Sequence, residues 1–185
     1  MKTDMNFIET HSGKRFFFQK PTADMVCIED IAYALSNLCR FNGHCKRFYS
    51  VAEHSVIISQ WLAMRGASVE TQMAGLMHDC AEAYIGDMPK PIKITMPNFM
   101  EMEKRIEEVI FAKYDLPFPF PSIVKEADCR ILKDERAQIM HPSEHTWMID
   151  EAEPLGVSIE GVCPETAESD FMDRFEYLQS QRIMV

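Results

Sequence analysis

The chain has 185 residues, 46% apolar and 26% charged, a length and balance that suit one compact core. Nineteen basic residues against twenty-nine acidic ones leave a formal charge of -10, which argues against a protein that wraps long nucleic acid by its phosphates. No apolar run approaches the roughly 18 to 20 residues that span a bilayer. Met1 to Thr10 also lacks the charged-then-apolar order of a secretory leader, so a cytoplasmic protein with no membrane partner is expected. Cys27, Cys39, Cys45, Cys80, Cys129 and Cys163 are scattered without a Cys-x-x-Cys pair. They read as reduced thiols, mostly small and buried.

In chain order, Asn6 to Thr10 and Lys14 to Gln19 read as a small hairpin (about 6–19) around His11-Ser12-Gly13. Ile31, Ala34, Leu35 and Leu38 then repeat at helical spacing until Asn42-Gly43. Ser50 and Glu53 fit a capping box for a second helix over 51–66. Ser68 caps a third, which runs through Met73, Leu76, Met77 and Tyr84 to Gly86. Asp87-Met88-Pro89-Lys90-Pro91 follows as a stiff loop. Phe99, Met102, Ile106, Val109 and Ile110 mark a fourth helix, with Glu101, Glu103, Lys104, Glu107 and Glu108 mostly on its solvent side. The prolines of 116–121 exclude helix there. Helices over 122–140 and about 165–179 flank an irregular stretch containing Pro142, Pro154, Gly156, Gly161 and Pro164. The expected fold is a single-domain, all-α helical bundle with a small N-terminal β-hairpin.

Several polar groups fall where these helices should be dry. His54 shares a stripe with Val51, Ile58 and Trp61, a place where a lone histidine is more often a hydrogen-bonded core residue than a ligand. His78, Asp79 and Glu82 fall within about 100° of helix arc. Asp128 lies beside Val124, Ala127 and Ile131 on the apolar face of the fifth helix, and needs either a basic partner or a metal. Together His54, His78, Asp79 and Asp128 offer two nitrogens and two carboxylate oxygens, enough to hold a divalent cation and leave positions open. Arg40, Lys46 and Arg47 form a basic segment without an acidic residue, and Lys90 and Lys93 add a second pair. Such a fringe suits the phosphates of one nucleotide. His141 and His145 have metal-pair spacing but bracket Pro142, and His11 has no evident partner.

These residues carry a family resemblance. His54, His78-Asp79 and Asp128 resemble the H…HD…D signature of the HD-domain metal-dependent phosphohydrolases. Residues 51–55 and the run from His78 to Lys93 are similar to the small bacterial 5′-deoxynucleotidases, and most of all to their phage relatives, which include dATP triphosphohydrolases of phages that use 2-aminoadenine. The likeness covers about residues 28–140, the expected HD core. It implies that His54, His78, Asp79 and Asp128 bind the catalytic metal, Zn²⁺, Co²⁺, Mn²⁺, Fe²⁺ or Mg²⁺. It also implies that Glu82 acts beside the activated water and that Asp87 lies near the scissile phosphate and sugar. Arg40-Phe41 takes the place of an arginine-aromatic pair on the first helix that touches phosphate and nucleoside; the bacterial enzymes usually carry tryptophan where Phe41 stands. His44, Lys90 and Lys93 complete the candidate substrate contacts. The small-molecule partner implied is a deoxynucleotide, hydrolysed as a triphosphate, dATP foremost, or alternatively as a monophosphate; self-association is expected by analogy. An inactive HD-type module is disfavoured because Glu82, Asp87 and Arg40 are all present, and a di-iron oxygenase because no second histidine lies close to His78.

Overall fold

The structure is a computed structural model that describes residues 6–147, 149 and 151–183. Phe7–Glu9 (β1) and Arg15–Phe17 (β2) pair antiparallel, with Phe7 opposite Phe17 and Glu9 opposite Arg15. The Thr10 amide closes their turn onto the Lys14 carbonyl at 2.8 Å, and Gly13 supplies a left-handed φ of 79° that a side chain would strain. Phe16 is fully buried and stacks on Tyr84 at 3.8 Å. Asp30 accepts hydrogen bonds from the Ser12 amide and hydroxyl at 2.6 and 2.8 Å. A two-stranded ribbon that would be marginal alone is thereby clasped to the helices.

The helices are Ile28–Asn37 (α1), Val51–Met64 (α2), Val69–Met77 (α3), Glu82–Ile85 (α4), Lys90–Lys93 (α5), Pro97–Lys113 (α6), Ser122–Ile139 (α7) and Pro164–Ile183 (α8). An all-α bundle with a minor hairpin is the fold expected from the helical spacing. α2 sits at its centre and packs on α1, α3, α7 and α8. Val51, Ala52, Val56, Ile58, Trp61 and Leu62 bury it on several sides, and Ser50 caps it by accepting the Glu53 amide at 3.1 Å. Gly75 sets the approach of α3, because a Cβ there would lie 2.4 Å from Leu62 Cδ1. That close approach places the His54 and His78 rings 5.3 Å apart.

Several local expectations are corrected. α1 stops at Asn37; Cys39 bridges to Ser50, and Arg40–Gly43 forms a separate 3-10 turn in which Phe41 and Asn42 adopt left-handed φ values of 56° and 51°. Arg40 and Phe41 therefore lie beyond the first helix. The third helix is broken as well. After Met77 the chain tightens, with i to i−3 bonds from Cys80 to Met77 (3.1 Å) and Glu82 to Asp79 (2.9 Å), before α4 resumes for one turn. Lys90–Lys93 is helical instead of a loop, because Pro91 in its first turn presets φ and gives up an amide that would be unpaired anyway. Of the cysteines only Cys80 is buried, and Cys163 is exposed.

The capping box at Ser50 is half made. Glu53 does not return to the helix start; its carboxylate accepts the amides of Glu160, Gly161 and Val162 at 3.1, 2.8 and 3.0 Å, three donors in place of one. Asp134 on α7 accepts the amides of Leu155, Gly156 and Val157 at 2.7, 3.0 and 3.2 Å, and Gln138 pairs with Val157 and Ile159. Residues 155–162 thus form an irregular strap, fastened by side chains instead of a neighbouring strand, that leads into α8.

Candidate metal centre

Three helices converge on one point. His54 comes from the first turn of α2, His78 and Asp79 from the tightened turn after α3, and Asp128 from the second turn of α7. His54 Nδ1 lies 2.9 Å from Glu135 Oε1 and His78 Nδ1 lies 2.9 Å from the Gly75 carbonyl. Both partners only accept, so each Nδ1 carries a proton, and Nε2 is the atom that each ring, once neutral, can offer to an ion. Both Nε2 atoms are buried without a hydrogen-bond partner, and both face the same two carboxylates. His54 Nε2 is 3.3 Å from Asp128 Oδ1 and 3.6 Å from Asp79 Oδ2; His78 Nε2 is 3.2 Å from Asp79 Oδ2 and 3.8 Å from Asp128 Oδ1. The 3.2 and 3.3 Å pairs are near enough for hydrogen bonds but lack the alignment for them.

This arrangement fits a divalent ion. Donors held about 2.0–2.1 Å from one ion stand roughly 3.0–3.4 Å apart, close to these spacings. His54, His78 and Asp128 place one donor atom each within 4.8 Å of the others. The Nδ1 partners fix the ring orientation as outer-shell acceptors do in metal sites. The imidazoles are closed to solvent while the side chains of Asp79 and Asp128 are 20% and 36% exposed, so the centre is open on its carboxylate side. The electrostatics also call for positive charge. Burial alone would lower the His78 pKa, yet Asp79 and Asp128 hold it well above its ordinary value.

Around the centre lies a shell of charge. Arg40, from the 3-10 turn, is 3.2 Å from Glu135 Oε1 and 3.7 Å from Asp79 Oδ2. Glu82 is buried with Oε2 unpaired; burial first, then Asp79 and Asp87, push its carboxyl well above the usual range. Burial also raises Asp87, with Arg40 opposing. Lys93 stands 2.7 Å from Glu103 and 3.8 Å from Glu82. Glu103 and Glu107 therefore belong to this neighbourhood and not to a solvated face: burial, Glu103 and Asp79 push Glu107 up to about 7. The other predicted contacts are more peripheral. His44 and Lys90 are exposed, Phe41 is half-buried beside Arg40, and His141 and His145 are both exposed. His11 stacks on Tyr33 at 3.7 Å, away from the centre.

Glu135, Glu103 and Glu107 are the residues sequence reasoning missed. Glu135 had a readable signal: it stands seven residues after Asp128, two turns along the same face of α7.

Residues 40–170 match the family described as 5′-deoxynucleotidase YfbR-like. Over 180 residues the chain is 39% identical to the uncharacterized protein YfdR of Escherichia coli (strain K12), covering 96% of this chain and 98% of that protein. Over 121 residues it is 33% identical to an uncharacterized protein of Rhodobacter capsulatus, covering 63% and 62% of the two. Among the described residues no helix is long and apolar enough to cross a membrane.

Proposed function

The chain belongs to the YfbR-like 5′-deoxynucleotidase family of HD-domain phosphohydrolases, and we propose that it is a metal-dependent enzyme that hydrolyses 2′-deoxynucleoside 5′-monophosphates to deoxynucleoside and phosphate. The observation that carries this reading is the pair of buried, unpartnered Nε2 atoms of His54 and His78 facing Asp79 and Asp128. A divalent ion held by these four residues would supply Lewis acidity toward a phosphoryl oxygen and would acidify a water for attack.

The chain's own groups do the rest. Glu82, buried with Oε2 unpaired, orients the attacking water and, as the carboxylate, takes its proton. Asp87, which the family resemblance sets near the scissile phosphate and sugar, is the carboxyl assigned to protonate the departing 5′ oxygen of the sugar. Arg40 and Lys93 place positive charge beside the phosphate oxygens.

Monophosphate is favoured because the inner cations are already engaged, Arg40 by Glu135 and Asp79, Lys93 by Glu103 and Glu82. Little inner positive charge is left to neutralise two further phosphates. A second reading, hydrolysis of dATP or other dNTPs to deoxynucleoside and inorganic triphosphate, is supported by the exposed Lys46, Arg47 and Lys90, which can meet outer phosphates. Product analysis tests both. With Mn²⁺ or Co²⁺, dAMP should give deoxyadenosine and phosphate, and EDTA should stop the reaction. Triphosphate released from dATP would select the second reading, and no turnover of any deoxynucleotide would reject both.

A further inference from the structure

We propose that Trp147 is a specificity-determining residue, its indole forming with the Phe41 ring an aromatic corner that receives the nucleobase and favours purines. The inference rests on the deoxynucleotide reading above.

The corner is built from both ends of the chain. Phe41 follows Arg40, whose guanidinium reaches both Glu135 and Asp79, so the turn is rooted at the metal centre. Phe41 and Asn42 are consecutive non-glycine residues with left-handed φ values, a conformation that persists only when its surroundings enforce it and that clusters at ligand sites. The half-buried Phe41 ring packs on the buried cluster of Tyr49, Ile139 and Ile159, with the Arg40 guanidinium 5.5 Å from its centroid. Beside it stands Trp147, ring centroids 6.1 Å apart and tilted by 43°.

Trp147 is held by Arg136, whose guanidinium lies over the indole ring at 5.1 Å and donates to the carbonyls of Ser143 and His145. Arg136 is the neighbour of Glu135 on α7, so one turn of that helix orients His54, fixes Arg40 and carries the support of Trp147. Trp61 gives the contrast: it is 4% exposed and fills the core, whereas Trp147 and Phe41 are only half-buried.

Two stacked layers need about 7 Å between outer rings, so a base does not slide between Phe41 and Trp147. It lies on one ring with its edge against the other. Stacking of this kind tolerates any base but grows with aromatic area, which favours purines.

Three measurements on the full chain test this. With Mn²⁺, Trp147→Leu should lower kcat/KM for dAMP and dGMP by about ten-fold, chiefly through KM, and for dCMP by less. It should leave hydrolysis of 2-deoxyribose 5-phosphate, which has no base, unchanged; Trp147→Phe should recover most of the loss. In a Trp61→Phe protein Trp147 is the remaining tryptophan of the two, and 2′-deoxyguanosine, which has no phosphate to lose, should quench its emission saturably. An active wild type whose purine preference survives Trp147→Leu, or whose Trp147 emission ignores deoxyguanosine, overturns this inference alone. A wild type inactive on every deoxynucleotide overturns the phosphohydrolase reading and this one with it.

Discussion

α2 and α7 each drive two adjacent polar residues into the interior, and the two members of each pair face different regions. Glu53 and Asp134 face the strap; His54 and Glu135 face the metal centre. At the strap every carboxylate oxygen is matched: Glu53 takes three backbone amides and Asp134 three more. At the centre the matching fails, leaving His54 Nε2, His78 Nε2 and Glu82 Oε2 buried without hydrogen-bond partners. Burying polar atoms costs free energy unless they are paired. The satisfied cluster is architecture, while the unsatisfied one is preorganised for something the chain does not itself contain.

That contrast can be broken at four points. Asp79→Ala should cost the most, about a thousand-fold or more in kcat, with an unchanged circular dichroism spectrum; a folded variant with full turnover would sink the metal assignment. Glu135→Gln should weaken metal affinity by about 10- to 100-fold, because the acceptor that orients His54 loses its charge. Competition with a chelator reads this directly, and an unaltered affinity would reduce Glu135 to a packing residue. Asp134→Ala belongs to the other region. It should lower the unfolding free energy in urea by about 1–3 kcal/mol by orphaning the strap amides, while kcat of the folded protein stays put. A loss of turnover without a loss of stability would contradict the division drawn here.

The smallest effect is a slope in pH. In the presence of EDTA the folded chain holds the Glu107 proton up to about 7, whereas the unfolded chain releases it near the ordinary 4.5. The folded state therefore binds more protons between these values, and stability falls as pH rises from 4.5 to 7. Glu107→Gln should flatten that fall and gain on the wild type toward neutral pH. Superimposable stability profiles for the two proteins would remove Glu107 from the site's electrostatics.

The cluster of His54, His78, Asp79 and Asp128 was legible as a candidate because an ionisable group on an apolar stripe contradicts its surroundings, as His54 and Asp128 do. The partners of those ligands were harder to read. Glu103 and Glu107 sit among Glu101, Lys104 and Glu108, and helical periodicity gives a half-exposed carboxylate the same signature whether it faces water or Lys93. The break after Met77 left no proline or glycine to mark it, since i to i−3 bonding at 78–82 preserves helical dihedrals closely enough for any residue. Arg40-Phe41 was placed on the first helix because Leu38 continues its apolar rhythm; the left-handed backbone at Phe41 is imposed by tertiary contacts that no local pattern records. Glu53 read as half of a capping box because a sequence window of four residues cannot contain partners more than a hundred residues away.

That separation has a consequence for the order of events at the ribosome. Glu53 meets its three amide partners 107 to 109 residues downstream, and it is covalently next to His54. While the chain is being made, α2 is synthesised long before the strap that neutralises the carboxylate at its first turn. A ribosome-bound intermediate ending before Leu155 already holds His54, His78, Asp79 and Asp128, yet it must keep Glu53 wet and the mouth of α2 open. The carboxylate beside His54 is thus satisfied only once the strap has been made, which sets the closing of α2's first turn late in synthesis.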